Sequence, residues 1–133
     1  MRRLLVGAAI ALGSVGCTLV GPAAEPSPDG PTGWSEQGIA SWYGDPFHGR
    51  QTASGETYDM EEMTAAHPTL PFGTVLQVVN LDNGRTVQVR VNDRGPYIDG
   101  RVIDVSRRAA RELDMVGPGT ARVFMTVVEP ASR

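Results

Sequence analysis

The sequence predicts a mainly β domain, folded as a compact barrel of short strands with one small helix. Three observations support this prediction. Apolar and polar residues alternate in several short segments, turn residues separate those segments, and a single stretch has a helical pattern. The chain has 133 residues, which is room for one domain. Periodicity alone does not give the order of the strands in the barrel.

The first half of the predicted domain contains one strand, a long loop and a hairpin. The strand covers residues 38–43 and the loop covers 44–55. Two further strands, over 74–80 and 85–92, flank a turn at 82–84, where Asn and Gly tolerate the positive φ angles of a tight hairpin.

The second half contains a short strand over 101–105, a helix over 106–115 capped by Ser106, and a last strand over 123–128. The last strand is apolar on both faces, as expected for a central strand of a barrel. Alternate apolar positions of these elements are expected to form most of the core: Val75, Leu76, Val78, Val87, Val89, Val91, Ile103, Val105, Leu113, Val123, Met125 and Val127.

Residues 1–16 are predicted to be an export signal. Arg2 and Arg3 supply its charged region, and the apolar run over 4–12 is too short for a transmembrane helix, which needs about 20 apolar residues. We therefore expect this segment to be removed on export.

The only cysteine, Cys17, follows a Ser14–Val15–Gly16 segment that looks like a lipobox. This motif implies a lipid on Cys17 that anchors the mature protein in a membrane, with a free cysteine as the alternative. Because Thr18 stands where aspartate would signal inner-membrane retention, we expect the outer membrane, on the side facing the periplasm. Residues 17–37 are rich in Pro, Gly and Ala and are predicted to be a flexible linker.

Charge and composition disfavour a nucleic-acid partner. The net charge is −3, no lysine is present, and the loss of Arg2 and Arg3 with the signal would lower the charge to −5. Nucleic-acid-binding surfaces are rich in positive charge instead. Neither a metal nor another cofactor is expected, because His48 and His67 are the only histidines and the cysteine is assigned to the anchor.

One carboxylate stands at the end of a predicted buried strand. Val87, Val89 and Val91 share one face, and alternation places Asp93 on the same face, at the rim of the core. A carboxyl group there loses part of its hydration, which favours the neutral form that a general acid needs. The alternative is that Asp93 only organises the turn at 94–96.

Five motifs follow one another along the chain: Trp42–Tyr43–Gly44, FHGRQTASGE at 47–56, TAAHPTLPFG at 64–73, NDRGPY at 92–97 and GRVIDVS at 100–106. Together, in this order, they resemble the rare lipoprotein A family. The resemblance extends over about residues 38–129, with 130–133 as a tail. It implies a six-stranded double-psi β-barrel with one or two short helices. It also implies a lytic transglycosylase that cleaves peptide-poor peptidoglycan strands and leaves anhydro sugar ends.

Three positions match the functional residues of that family, namely Glu56, His67 and Asp93. Our hypothesis is that Asp93 is a general acid/base, and that Glu56 and His67 tune it or orient the sugar. The alternatives are a solvated loop glutamate for Glu56 and a structural histidine for His67.

Aromatic and polar residues of these motifs are the expected substrate-binding groups. The flat aromatic rings can stack on the apolar face of a pyranose. His48 and Arg50 lie next to the site residues and are expected to contact the substrate, with holding the loop as the alternative. For Phe47, packing in the core explains the residue equally well. Asp104 is expected to make a structural hydrogen bond within its strand, with a second site carboxylate as the alternative. The candidates are Trp42, Tyr43, Phe47, His48, Arg50, Ser54, Arg94 and Tyr97.

The alternative function is a non-catalytic, expansin-like module that binds or remodels peptidoglycan. Many family members also carry a C-terminal domain that binds denuded glycan, whereas this sequence ends at Arg133. A divisome or other cell-wall protein partner could supply that binding instead.

Overall fold

The protein is described by a computed structural model that covers residues 33–131. The export signal, Cys17 and most of the predicted linker lie outside the described residues, so lipidation and outer-membrane location stay predictions. The described strands are β1 (Ser35–Tyr43), β2 (Thr64–Ala66), β3 (Val75–Asn80), β4 (Thr86–Asp93), β5 (Arg101–Ser106) and β6 (Thr120–Glu129). One α-helix, α1, covers Arg107–Glu112, and a short 3-10 helix covers Asp45–Phe47.

The six strands close into a barrel in the order β1, β5, β2, β4, β3, β6. Two neighbouring pairs, β1 with β5 and β2 with β4, are parallel, and the other pairs are antiparallel. The predicted mainly β barrel with one short helix is therefore confirmed. Within residues 33–131, no helix is long and apolar enough to cross a membrane.

Local signals predicted the hairpin and the helix cap well. Gly84 has a φ of 81° in the turn between β3 and β4, a conformation that favours glycine. The Ser106 hydroxyl accepts a hydrogen bond from the Ala109 amide at 3.2 Å, as expected of a helix cap. The helix ends at Glu112, three residues before the predicted end.

The core contains most of the expected residues, but Val75 and Val127 are only partly buried. The last strand is apolar on both faces, as expected of a central strand, but only one face is buried, because Phe124 is 37% exposed and Val128 is 43% exposed. A small barrel has one packed interior, so the alternate residues of each strand face outward.

Two strands differ from the sequence-based prediction: one begins earlier than predicted, and the other was not predicted at all. β1 begins at Ser35 rather than at residue 38, so it includes part of the predicted linker. β2 was not predicted, because its three buried residues, TAA, show no alternation. β2 lies between β4 and β5, where it places Ala66 beside both strands.

Candidate active site

Asp93 reaches a surface cleft because β4 changes register where it pairs with β2. Ala65 pairs with Val91, whereas Ala66 pairs with Asp93, so Asn92 is an extra residue in β4. Such a bulge re-aims the side chains around it. The prediction that Asp93 continues the face of Val91 is therefore wrong, and Asp93 shares a face with Ala66 instead.

The cleft has a volume of about 300 Å³ and contains two carboxylates. Ala66 pairs with Asp93 of β4 on one side and with Asp104 of β5 on the other. Because neighbouring strands lie about 4.8 Å apart, the backbones of the two aspartates are about 10 Å apart across the sheet. Other residues that line the cleft include Tyr43, Phe47, Arg50, Thr52, Tyr58 and Arg94.

The Asp93 carboxylate is oriented by two backbone amides. Its Oδ1 accepts hydrogen bonds from the amides of Ala53 and Arg94, each at 2.9 Å. Its Oδ2 makes no hydrogen bond with the described part of the chain. The loop that carries Ala53 is closed by the Thr52 amide, which donates to the Glu56 carbonyl at 2.7 Å. One carboxyl oxygen is thus fixed and the other is available to a substrate.

Glu56 lies outside the cleft and is bound to two side chains of β4. Arg90 donates to both of its carboxylate oxygens, at 2.6 and 3.0 Å, and Asn92 donates at 3.2 Å. The hydrogen bonds from Arg90 lower the pKa of Glu56 below its ordinary value. Glu56 is therefore ionised at neutral pH, and its geometry suits it to hold the loop against β4 rather than to donate a proton.

Glu56→Gln should cost little stability at neutral pH and nothing in strong acid. The side chains of Arg90 and Glu56 are 39% and 42% exposed, and such pairs contribute at most about 1 kcal/mol. Because the folded-state pKa of Glu56 is lowered, the pair stabilises the fold above the ordinary carboxyl pKa and loses this effect as pH falls through the folded value. Urea unfolding from neutral to acidic pH should show the two proteins converging. A difference that stayed constant with pH would contradict the assignment.

His67 is buried, and its ring contacts Glu36 rather than Asp93. It is 3% exposed, and its Nδ1 accepts hydrogen bonds from the amides of Thr69 and Leu70, at 3.1 and 3.2 Å. The ring proton therefore lies on Nε2, which donates to Glu36 Oε1 at 3.0 Å. The ring also packs edge-on against Trp34, with centroids 5.5 Å apart. Burial lowers the pKa of His67, so the neutral ring is favoured.

His67 supports Asp93 through the backbone. The His67 amide donates to the Asp93 carbonyl at 3.1 Å. The Arg94 guanidinium donates to the carbonyls of His67 and Leu70, at 3.2 and 2.7 Å, and lies 4.0 Å from the centre of the Phe72 ring. The side chains of His67 and Arg94 thus hold the segment before β3 against the end of β4, where Asp93 lies.

Tyr43 lines the cleft, but one face of its ring is covered. The ring stacks on Tyr58 with centroids 4.2 Å apart and meets Phe47 edge-on at 5.8 Å. Its hydroxyl is buried and has no hydrogen-bond partner within residues 33–131. Burial, followed by the negative charge of Asp93, raises the pKa of Tyr43, so the hydroxyl remains protonated.

Of the other predicted substrate-binding residues, Phe47, Arg50 and Arg94 line the cleft, and the remaining four do not. Trp42 packs against the core, and His48 Nδ1 accepts a hydrogen bond from the Met60 amide at 3.1 Å. The Ser54 hydroxyl lies 3.0 Å from Thr52 Oγ1, and Tyr97 is 77% exposed beyond the cleft. In the described range, no three His, Cys, Asp or Glu side chains are close enough to hold a metal.

The closed barrel of six mixed strands, with two carboxylates in a cleft beside β2, defines a double-psi β-barrel domain. A family model described as lytic transglycolase matches residues 35–125. The chain belongs to this family, which confirms the fold and the resemblance inferred from the motifs.

A curated relative shows how much of each sequence is similar. The endolytic peptidoglycan transglycosylase RlpA of Campylobacter jejuni is 54% identical over 96 residues, which are 72% of this chain and 35% of that protein. The chain thus spans about a third of the length of the curated relatives that it matches.

Two solved structures share the fold. The Streptomyces papain inhibitor has a TM-score of 0.61 and 27% identity, over 74% of this chain and 98% of its own. An expansin of Clavibacter michiganensis has a TM-score of 0.58 and 24% identity, over 74% of this chain and 53% of its own.

Proposed function

We propose that this domain is an endolytic lytic transglycosylase that cleaves the glycan strands of peptidoglycan, with peptide-poor strands as the substrate. The observation that carries the proposal is the Asp93 carboxyl group, which is fixed through Oδ1 and free at Oδ2 in an open cleft. The 54% identity to a protein named as such an enzyme supports it.

The chemistry needs one proton donor that later accepts a proton. Asp93 protonates the glycosidic oxygen as the bond from that oxygen to the anomeric carbon of N-acetylmuramic acid breaks. The 6-hydroxyl oxygen of the same sugar then bonds to the anomeric carbon, and Asp93 takes up the hydroxyl proton. The products are a free hydroxyl on one strand and a 1,6-anhydro end on the other. No water is consumed, and Asp93 returns to its starting state.

The wall of the cleft can hold the sugar beside Asp93. Phe47 is 46% exposed and offers an apolar surface to a sugar ring. The Arg50 guanidinium carbon lies 5.9 Å from the centre of that ring, where it can donate hydrogen bonds to sugar hydroxyl groups. Glu56 and His67 support the loop and the strand end that position Asp93.

A non-catalytic wall-binding module is the second candidate. One observation favours it. Of the three residues that match the family's functional residues, Glu56, His67 and Asp93, only Asp93 has its side chain in the cleft. In that case the cleft would hold a glycan strand without cutting it.

The two candidates differ in what they release from glycan. A chain that begins at Thr18 should be incubated with peptide-free glycan strands and the products analysed by mass spectrometry. Anhydro-ended fragments are expected. Reducing ends would show hydrolysis and would contradict the proposed reaction, and uncut strands that still bind would establish the wall-binding module.

A further inference from the structure

Asp104 is the second carboxylate of the cleft, and the reaction described above does not use it. It lies in β5 between Ile103 and Val105, which are both completely buried, so its backbone position is fixed by the core. Its Oδ1 accepts a hydrogen bond from the hydroxyl of Ser41, its pairing partner in β1. Its other oxygen has no hydrogen bond within the described residues.

A purely structural role explains Asp104 poorly. A partly buried carboxylate is costly unless a cation or several donors compensate it. No described arginine forms an ion pair with Asp104, although five arginine–carboxylate ion pairs occur in the same range. Ser41 provides the one hydrogen bond that orients the group.

Asp104 and Asp93 border the same part of the cleft. Both aspartates flank Ala66, whose methyl group leaves the cleft open between them. The negative charges of both aspartates also act on the Tyr43 hydroxyl, which has no hydrogen-bond partner within residues 33–131. A sugar ring above Ala66 would therefore lie between a proton donor and a second carboxylate.

We propose that Asp104 stabilises the positive charge that develops on the sugar ring in the transition state, and that Ser41 positions Asp104 for this role. The inference rests on the proposed transglycosylase function. The new bond to the 6-oxygen forms on the same face of the anomeric carbon as the bond that breaks. Asp93 can therefore carry out both proton transfers. This leaves the second carboxylate for electrostatic stabilisation of the oxocarbenium-like state.

Asp104→Asn should lower kcat by about 100-fold or more, with KM nearly unchanged, because the lost interaction exists chiefly in the transition state. Asp99→Asn is the matched control, since it removes an equal charge from an exposed loop outside the cleft and should cleave at the wild-type rate. The measurement is the steady-state release of anhydro ends from peptide-free glycan strands, together with urea unfolding of each variant.

A second pair of variants tests the role of Ser41. Ser41→Ala should lower kcat by about 10-fold through misplacement of Asp104, whereas Ser41→Thr retains a hydroxyl and should restore most of the rate. A wild-type kcat in Asp104→Asn, or a raised KM at unchanged kcat, would overturn the inference. If Asp104→Asn unfolds, a wild-type kcat in Ser41→Ala overturns it instead.

The same measurements distinguish failure of the Asp104 role from failure of the proposed transglycosylase function. A wild-type chain that releases no anhydro ends refutes the transglycosylase and the role of Asp104 with it. A wild-type chain that is active, beside an equally active Asp104→Asn variant, refutes only the role of Asp104.

Discussion

Asp93→Asn is expected to lose glycan cleavage by about 100-fold to 10,000-fold while the barrel remains folded. The asparagine keeps an oxygen that can accept the two hydrogen bonds from the amides of Ala53 and Arg94, so its orientation is retained. It has no acidic proton to transfer to the glycosidic oxygen. Release of anhydro ends by the variant and by the wild type measures the loss, and urea unfolding checks the fold.

Binding separates the catalytic role of Asp93 from a role in holding the strand. The Asp93→Asn variant should still retain peptide-free glycan, because the rings and Arg50 remain in the cleft. Asp99→Asn again serves as the control for a lost negative charge. Cleavage by Asp93→Asn at the wild-type rate would remove Asp93 from the mechanism.

His67→Ala is expected to lose both cleavage and stability. The change leaves the buried Leu70 amide without its acceptor and creates a cavity beside Trp34. An unpaired buried polar group and a cavity of this kind should together lower the free energy of unfolding by about 2–4 kcal/mol. Urea unfolding at neutral pH measures this change, and the cleavage assay follows the accompanying loss of activity.

His48→Ala is the matched control, because His48 is exposed and accepts a single hydrogen bond from Met60. Its effect on stability should remain within about 1 kcal/mol. A His67→Ala protein that unfolds like the wild type yet cleaves no glycan would show that the imidazole acts in the chemistry. Wild-type stability together with wild-type cleavage would leave His67 without either role.

The barrel could be predicted where the sequence alternates, and much less where it does not. The strands over 74–80, 85–92 and 101–105 were placed within about one residue of β3, β4 and β5. β2 has only three residues, all buried, and its identity as a strand depends on neighbours that are distant in sequence. No local sequence pattern predicts such a strand.

The residues assigned to the site remain predictions, and only part of their geometry could be predicted from the sequence. Asp93 was found from its motif, but its face depends on the extra residue Asn92, which only the pairing of β4 with β2 reveals. The partner of His67 is Glu36, which is 31 positions away, and no spacing rule connects the two. The position of Asp104 is predictable from the sequence. It alternates with Ile103 and Val105, so its side chain must face away from the core.

Because the barrel is closed, every strand is paired on both sides along the circle of six. Unpaired strand edges are the usual templates on which copies of a β protein adhere to each other. The described strands therefore expose less of the backbone surface that leads to edge-to-edge aggregation than the strands of an open sheet would. Recognition of other molecules is left to side chains and loops, so it can be redesigned by substitution without unpairing a strand.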